Sequence, residues 1–162
     1  MHIVISDDYQ DSIRQLSCFE KTKNHTVEIY KDTVSGVDAL AERFKDAEAI
    51  VLIRERTVIS KALLDRLPKL KVISQTGKIA SHIDLDACKE KGIVVMDGRG
   101  SGAATAELNM LLILAALRNL VDEVNRLKGG QWQGYLGSQL SGKVLGIYGF
   151  GRIGKQVCAL GK

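Results

Sequence analysis

Gly149, Gly151 and Gly154 stand in the run Lys143-Val144-Leu145-Gly146-Ile147-Tyr148-Gly149-Phe150-Gly151-Arg152-Ile153-Gly154. An apolar strand of Val144 to Tyr148 leading into G-x-G-x-x-G, with a helix opening at Arg152, is the turn that lets a backbone approach a dinucleotide pyrophosphate. Gly149 is expected to allow the tight turn. Gly151 removes a Cβ from the path of the pyrophosphate, and Gly154 lets the helix pack against the strand. The helix N-terminus adds free N–H groups and partial positive charge for the phosphates. Gly149, Phe150, Gly151, Arg152, Ile153 and Gly154 are therefore the candidate cofactor contacts. The acidic residue that reads the ribose 2′-hydroxyl belongs about 20 residues further on, so the cofactor is NAD or NADP. Only eight residues follow Gly154.

Two other stretches carry groups suited to a small anion. Arg54-Glu55-Arg56-Thr57 follows the third apolar segment, and arginine offers a planar fork to carboxylate or phosphate. Solvent, or pairing with Glu55, is the alternative for both arginines. Thr76-Gly77-Lys78-Ile79-Ala80-Ser81-His82-Ile83-Asp84 follows the fourth segment, at the strand end where open α/β sheets bind ligands. Lys78 places a cation within reach of a carboxylate. His82 invites a proton-shuttle reading, but a structural or surface role is favoured for it, and His2 and His25 look incidental. Asp7-Asp8 after the first strand prompts a phosphoryl-transfer receiver holding Mg²⁺. That reading needs an aspartate ending the third strand, where this chain has Arg54, and it is rejected. No metal site is expected.

Elements able to position these residues alternate along the chain. Strands are expected at His2–Ser6, Thr26–Tyr30, Ala49–Ile53, Lys71–Gln75 and Ile93–Met96. Helices are expected around Gln10–Phe19, Val37–Phe44, Ser60–Leu67 and Leu85–Lys91, with Ser60 and Asp84 as N-caps and Gly92 as a C′ glycine. Such alternation means βαβ units and a parallel sheet, here a flavodoxin-like α/β domain over residues 1–98. Gly98-Arg99-Gly100-Ser101-Gly102 reads as a hinge or boundary. A long helix over about Ala103–Leu127 follows, so apolar that burial on more than one side is expected. Residues 99–162 thus supply a linker helix and the first strand, loop and helix of a Rossmann dinucleotide-binding domain.

Composition narrows the class. The chain has 162 residues, 45% hydrophobic and 26% charged, with net charge +4, which is globular rather than disordered. Basic residues are scattered singles and pairs (Lys21/Lys23, Lys69/Lys71, Lys89/Lys91), not a nucleic-acid footprint. The most apolar run, Leu108 to Leu117, is well short of the ~20 residues that span a bilayer. Met1-His2-Ile3-Val4-Ile5 reads as a strand, not a secretion signal. Cys18, Cys88 and Cys158, without a C-x-x-C, read as reduced thiols. A soluble, cytoplasmic protein with no nucleic-acid or membrane partner is expected.

The ordered series Leu67-Pro68-Lys69-Leu70-Lys71-Val72-Ile73, Thr76-Gly77 to Asp84, Gly92-Ile93-Val94-Val95, Ala106-Glu107 and Leu140-Ser141-Gly142-Lys143 to Gly154 resembles the D-2-hydroxyacid dehydrogenase family, which includes D-3-phosphoglycerate dehydrogenase. The resemblance covers essentially the whole chain. It implies hydride transfer between NAD(P) and C2 of a small D-2-hydroxy or 2-oxo acid, in a homodimer when the enzyme is complete. The family's substrate loop usually reads G-x-G-x-D-x-I-D, its N–H groups holding the carboxylate. Gly77 and Ile83-Asp84 match, while Ile79 replaces the second glycine and Ser81 the aspartate. Substrate contact is implied for Arg54, Arg56, Gly77, Lys78, Ile79 and Ser101, with an R-x-R-T similar to that of phosphoglycerate dehydrogenases. Thr105 is implied beside the nicotinamide, although Ser101 is equally placed to cap the long helix. The family's catalytic Arg, Glu and His lie after the glycine loop, so no catalytic residue is assigned here. The chain is expected to be an N-terminal portion, inactive alone. The rival expectation is a non-catalytic metabolite- or partner-binding module of the same descent, its Val144, Leu145 and Ile147 edge open to association.

Overall fold

A computed structural model of the chain describes residues 1–98 and 100–162. Arg99, the second residue of the expected hinge, lies outside the described residues. The chain divides into two compact units, 1–100 and 101–162.

The first unit is a sheet of five parallel strands, β1 (His2–Ile5), β2 (Thr26–Ile29), β3 (Ala49–Ile53), β4 (Val72–Thr76) and β5 (Val94–Asp97), in the order β2-β1-β3-β4-β5. This is the flavodoxin-like order, with crossover helices joining parallel neighbours. Those helices are α1 (Val37–Phe44), α2 (Lys61–Leu64) and α3 (Leu85–Glu90). Ser60 Oγ accepts from Leu63 N–H (3.3 Å) and the Asp84 carboxylate from Ala87 N–H (3.0 Å), so the expected caps form. Gly92 takes φ +68° after α3, the left-handed step that favours glycine. Leu40 and Phe44 of α1, Leu63 and Leu64 of α2, and Ala87 and Cys88 of α3 close over Ile50, Leu52 and Ile73 of the central strands.

Gln10–Phe19 does not become an α-helix. Two 3₁₀ segments stand there, Ile13–Gln15 and Ser17–Thr22, and neither buries a residue. Asp8 takes the Ser12 and Ile13 N–H groups (both 3.1 Å), and Asp11 sits at φ +49°, so local side-chain bonding replaces the helix ladder.

The second unit comprises α4 (Ala103–Leu117), α5 (Leu120–Lys128) and α6 (Arg152–Leu160). The expected single helix over 103–127 breaks at Asn119, whose φ of +50° turns α5 by 64° from α4. Asparagine tolerates the left-handed region better than most residues, which places the break there. Among the described residues no single helix is long and apolar enough to cross a membrane. Val144–Tyr148 is not a strand, and Val144 is 98% exposed. Its residue types suit a strand, but a parallel strand exists only through bonds to a neighbour, and no described strand pairs with it.

Candidate functional site

The carboxyl ends of β3, β4 and β5 frame an open cleft of about 510 Å³ lined by Arg54, Ser74, Gln75, Thr76, Gly77, Asp97, Gly98 and Gly100. The register explains the grouping. Ile53 pairs with Thr76 and Gln75 with Asp97, so the residues just past each strand emerge side by side. A second depression of about 310 Å³ shares Arg54 and Thr76 and is lined also by Asp7, Asp8, Tyr9 and Arg56.

The two arginines differ in what holds them. Arg56 donates to the Asp7 carbonyl oxygen (2.9 Å), and its guanidinium lies 4.2 Å from the Tyr9 ring centroid. The Arg54 guanidinium makes no hydrogen bond or ion pair among the described residues, and neither arginine pairs with Glu55. Arg54 is also the one with unusual backbone, at φ +62°.

At Gly77 the chain takes φ +105°, a conformation side chains rarely adopt, so a glycine is required to leave β4 in this direction. Gly77 carbonyl oxygen accepts from Gly98 N–H (3.1 Å). The N–H groups of Gly77, Lys78 and Ile79 donate to no group among the described residues. Three successive unmet donors are the chemistry of an anion-binding turn. The Lys78 side chain is exposed, whereas Ile79 packs partly against the core. A β-carbon substituent at position 79, where relatives of the resemblance usually carry glycine, is thus accommodated by turning inward.

Beneath these groups lies a polar layer that sequence reasoning did not assign. Asp7 is 1% exposed, at φ +66°, and its carboxylate accepts from Ser6 Oγ (2.8 Å), Thr57 Oγ1 (2.6 Å) and Thr33 Oγ1 (2.6 Å). Tyr9 and Thr33 also share a hydroxyl–hydroxyl bond. Burial pushes the Asp7 carboxyl up, but the hydroxyls of Thr33, Thr57 and Ser6 and the charge of Arg56 outweigh it, leaving the group below its ordinary 3.8. Both acids of the Asp7-Asp8 pair are thus occupied structurally, Asp8 as the cap described above. Gln75, 2% exposed, bridges the Arg54 carbonyl oxygen and His82. A signal for Gln75 was available: two residues after Ile73 it falls on the same buried face of β4, where an amide demands partners.

In the second unit the glycine turn and the helix after it form, although the strand expected to lead into them does not. Gly149 lies at φ +89° and Gly151 is the N-cap of α6. A Cβ on Gly154 would overlap the Gly149 carbonyl oxygen and stand 3.4 Å from Ile147 Cγ2, whereas one on Gly151 would meet nothing within 4 Å. The first backbone bond of α6 runs from Lys155 N–H to Gly151 O (3.0 Å), and the N–H groups of Ile153 and Gly154 have no acceptor among the described residues. An open cradle with free donors at a nine-residue helix fits a pyrophosphate. Phe150 is exposed beside it. Ser101 Oγ accepts from Ala103 N–H (3.2 Å) and Ser101 O from Gln156 Nε2 (3.0 Å), so Ser101 bonds to the first residue of α4, whose N-cap is Gly102. Thr105 is exposed on the first turn of α4, its carbonyl oxygen accepting from Asn109.

Residues 3–145 match the family model described as D-isomer specific 2-hydroxyacid dehydrogenase, catalytic domain. The D-3-phosphoglycerate dehydrogenase of Methanocaldococcus jannaschii is 41% identical over 123 residues, 74% of this chain and 23% of that protein. A crystal structure of phosphoglycerate oxidoreductase from Vibrio cholerae O395 superposes with a TM-score of 0.90 at 47% identity, covering 99% of this chain and 52% of the other. A D-lactate dehydrogenase from Aquifex aeolicus, complexed with NAD and lactic acid, gives 0.71 at 28% identity over 98% of this chain and 47% of its own. The chain therefore spans about half the length of the solved relatives and about a quarter of the phosphoglycerate dehydrogenase.

Proposed function

Because the chain belongs to the D-isomer specific 2-hydroxyacid dehydrogenase family, we propose that it contributes the substrate-binding domain and the start of the NAD-binding domain to an enzyme that oxidises a small D-2-hydroxy acid. The observation that carries this reading is the cleft at the strand ends, lined by Arg54 and Gly77: among the described residues the Arg54 guanidinium has no partner, and the loop that begins at Gly77 has three N–H donors without an acceptor. In the proposed enzyme, the N–H groups of Gly77, Lys78 and Ile79 hold the substrate carboxylate, and Arg54 and Lys78 supply the cationic field. Arg56, fixed on Asp7 and Tyr9, acts mainly by shaping the wall that Arg54 shares. Gly149, Gly151 and the α6 N-terminus, with Phe150, Arg152, Ile153 and Gly154, cradle the cofactor phosphates, with Thr105 on the first turn of α4 and Ser101 just before it serving the nicotinamide and substrate side. NAD, when bound, supplies the hydride acceptor for C2. The cleft contains no histidine free to move a proton, since His82 is buried with Nε2 bonded to Gln75. We accordingly expect the 162 residues alone to bind such an acid without turning it over.

The exposed apolar side chains of Leu108, Leu111 and Leu112 support pairing of two copies in the complete enzyme. The free thiols of Cys18, Cys88 and Cys158 support a reducing, cytoplasmic setting. Titration of the chain with D-3-phosphoglycerate, followed by ¹H–¹⁵N NMR, tests the central reading. Shifts are expected at Arg54 and at residues 77–79, and about tenfold weaker binding in Arg54→Ala, the loss of one charge-assisted contact. Unchanged spectra at millimolar ligand would overturn it.

A further inference from the structure

Arginine seldom occupies the left-handed backbone region, and Arg54 does so at the mouth of the cleft. Two bonds hold it there. Its N–H donates to Thr76 Oγ1 (3.2 Å), and its carbonyl oxygen accepts from Gln75 Nε2 (2.8 Å). Gln75 Nε2 also reaches the Thr76 carbonyl oxygen (3.3 Å). Carbonyl oxygens only accept, so both bonds put the amide NH₂ toward Arg54 and turn Oε1 toward His82 Nε2 at 3.1 Å. Oε1 likewise only accepts, so His82 carries its proton on Nε2. The other ring nitrogen, Nδ1, is buried and has no partner. Among the described residues this imidazole side chain makes one bond, and it is spent orienting the amide.

We infer that Gln75 and His82 are positioning residues for the substrate site, His82 fixing the Gln75 amide and Gln75 holding Arg54 in the left-handed conformation that presents its guanidinium to the cleft. The inference rests on the reading of that cleft as the acid's binding site. It explains why a histidine four residues past Lys78 is buried rather than facing ligand, and why the only glutamine in β4 lies on the buried face. It also separates the two arginines chemically. Arg56 is held through its own guanidinium and so is not free to reach an anion without breaking a bond and a ring contact. Arg54 is held only through its backbone, which leaves the whole fork for substrate.

The test uses the 162-residue chain with two readouts. The first is the Arg54 backbone dihedral from NMR chemical shifts and cross-correlated relaxation, measured without ligand. The second is the apparent Kd for D-3-phosphoglycerate. In Gln75→Met, of similar size but without a donor, Arg54 is expected to leave positive φ and binding to weaken about tenfold, as displaced binding groups do. The double variant with Arg54→Ala should bind no worse than Arg54→Ala alone, because both changes act through one guanidinium. His82→Gln keeps a donor and should restore both readouts to within about twofold of the parent, while His82→Phe should not. A Gln75→Met chain that is folded, keeps Arg54 at positive φ and binds as the parent does overturns the inference. Should Gln75→Met fail to fold, the contrast between His82→Gln and His82→Phe decides on the same readouts. Failure of the cleft reading looks different: Arg54→Ala then binds like the parent, while the dihedral still reports on the relay.

Discussion

Ile50, Leu52, Ile59, Leu63 and Ile73 are fully buried in residues 1–100, whereas among the described residues of 101–162 only Ala106 and Val157 are buried apolar side chains. Both regions are rich in leucine, isoleucine and valine, so composition does not separate them. Geometry does. In the first, Ala-Ile-Val-Leu-Ile of β3 has β1 on one side and β4 on the other, with helices over the sheet. In the second, Val-Leu-Gly-Ile-Tyr at 144–148 has comparable strand character and no paired neighbour among the described residues, and the run of apolar residues in α4 leaves Leu108, Leu111 and Leu112 about half exposed. An apolar segment becomes core only when topology brings it a partner of matching period.

The largest expected difference between the regions is in stability. Leu52→Ala should cost about 2–5 kcal/mol, the range for deleting buried methyl groups from a packed site that cannot collapse. Urea midpoints by circular dichroism measure it. A loss below about 1 kcal/mol would mean that the sheet interior is as loosely organised as residues 101–162, and the contrast drawn above would go.

Next in size is Asp7→Asn. Asparagine tolerates the left-handed backbone at this position, so the change tests charge rather than strain. It weakens three hydroxyl bonds to a buried carboxylate and should cost about 1.5–3 kcal/mol at pH 7. The pH dependence has a fixed sign. The folded carboxyl is held below its ordinary 3.8, so its contribution is complete above that value and is lost as pH falls through the lower, folded one. The gap in stability between parent and variant should be constant from pH 7 to about 5 and shrink below about 4. A gap that widens in acid would show that Asp7 is protonated in the fold.

Much of the first region was legible because its signals are local. The five strands, the Ser60 and Asp84 caps and the Gly92 stop each depend on a few adjacent residues, and all lie within a residue or two of expectation. Arg54 and Gly77 could be placed beside the cleft because each directly follows a strand. What escaped is non-local. The Asp7 hydroxyl cage joins residues 6, 33 and 57, and the Gln75 bridge joins 54 and 82, pairings no spacing rule encodes. Gln10–Phe19 misled because Asp8 and Asp11 bond locally and override weak helix periodicity. Val144–Tyr148 misled for a different reason: residue type sets the propensity for a strand, but pairing decides whether one forms.

The smallest expected effect is the one that sharpens the comparison most. Leu112→Ser replaces a leucine that is 59% exposed, and on a monomer it should change the unfolding free energy by no more than about 0.5 kcal/mol. The same leucine buried against a second copy would behave like Leu52, and its loss would then lower the unfolding midpoint in a concentration-dependent way. Measuring Leu112→Ser at two protein concentrations tenfold apart, beside sedimentation of the parent, distinguishes these outcomes. Concentration-independent midpoints within the stated range mean that α4 stays uncovered and that the apolar content of residues 101–162 does no folding work in the isolated chain. A shift that grows with concentration means that the second region does have a core, but one assembled between molecules. The difference between the two regions would then lie in where the partner surface comes from, not in whether one exists.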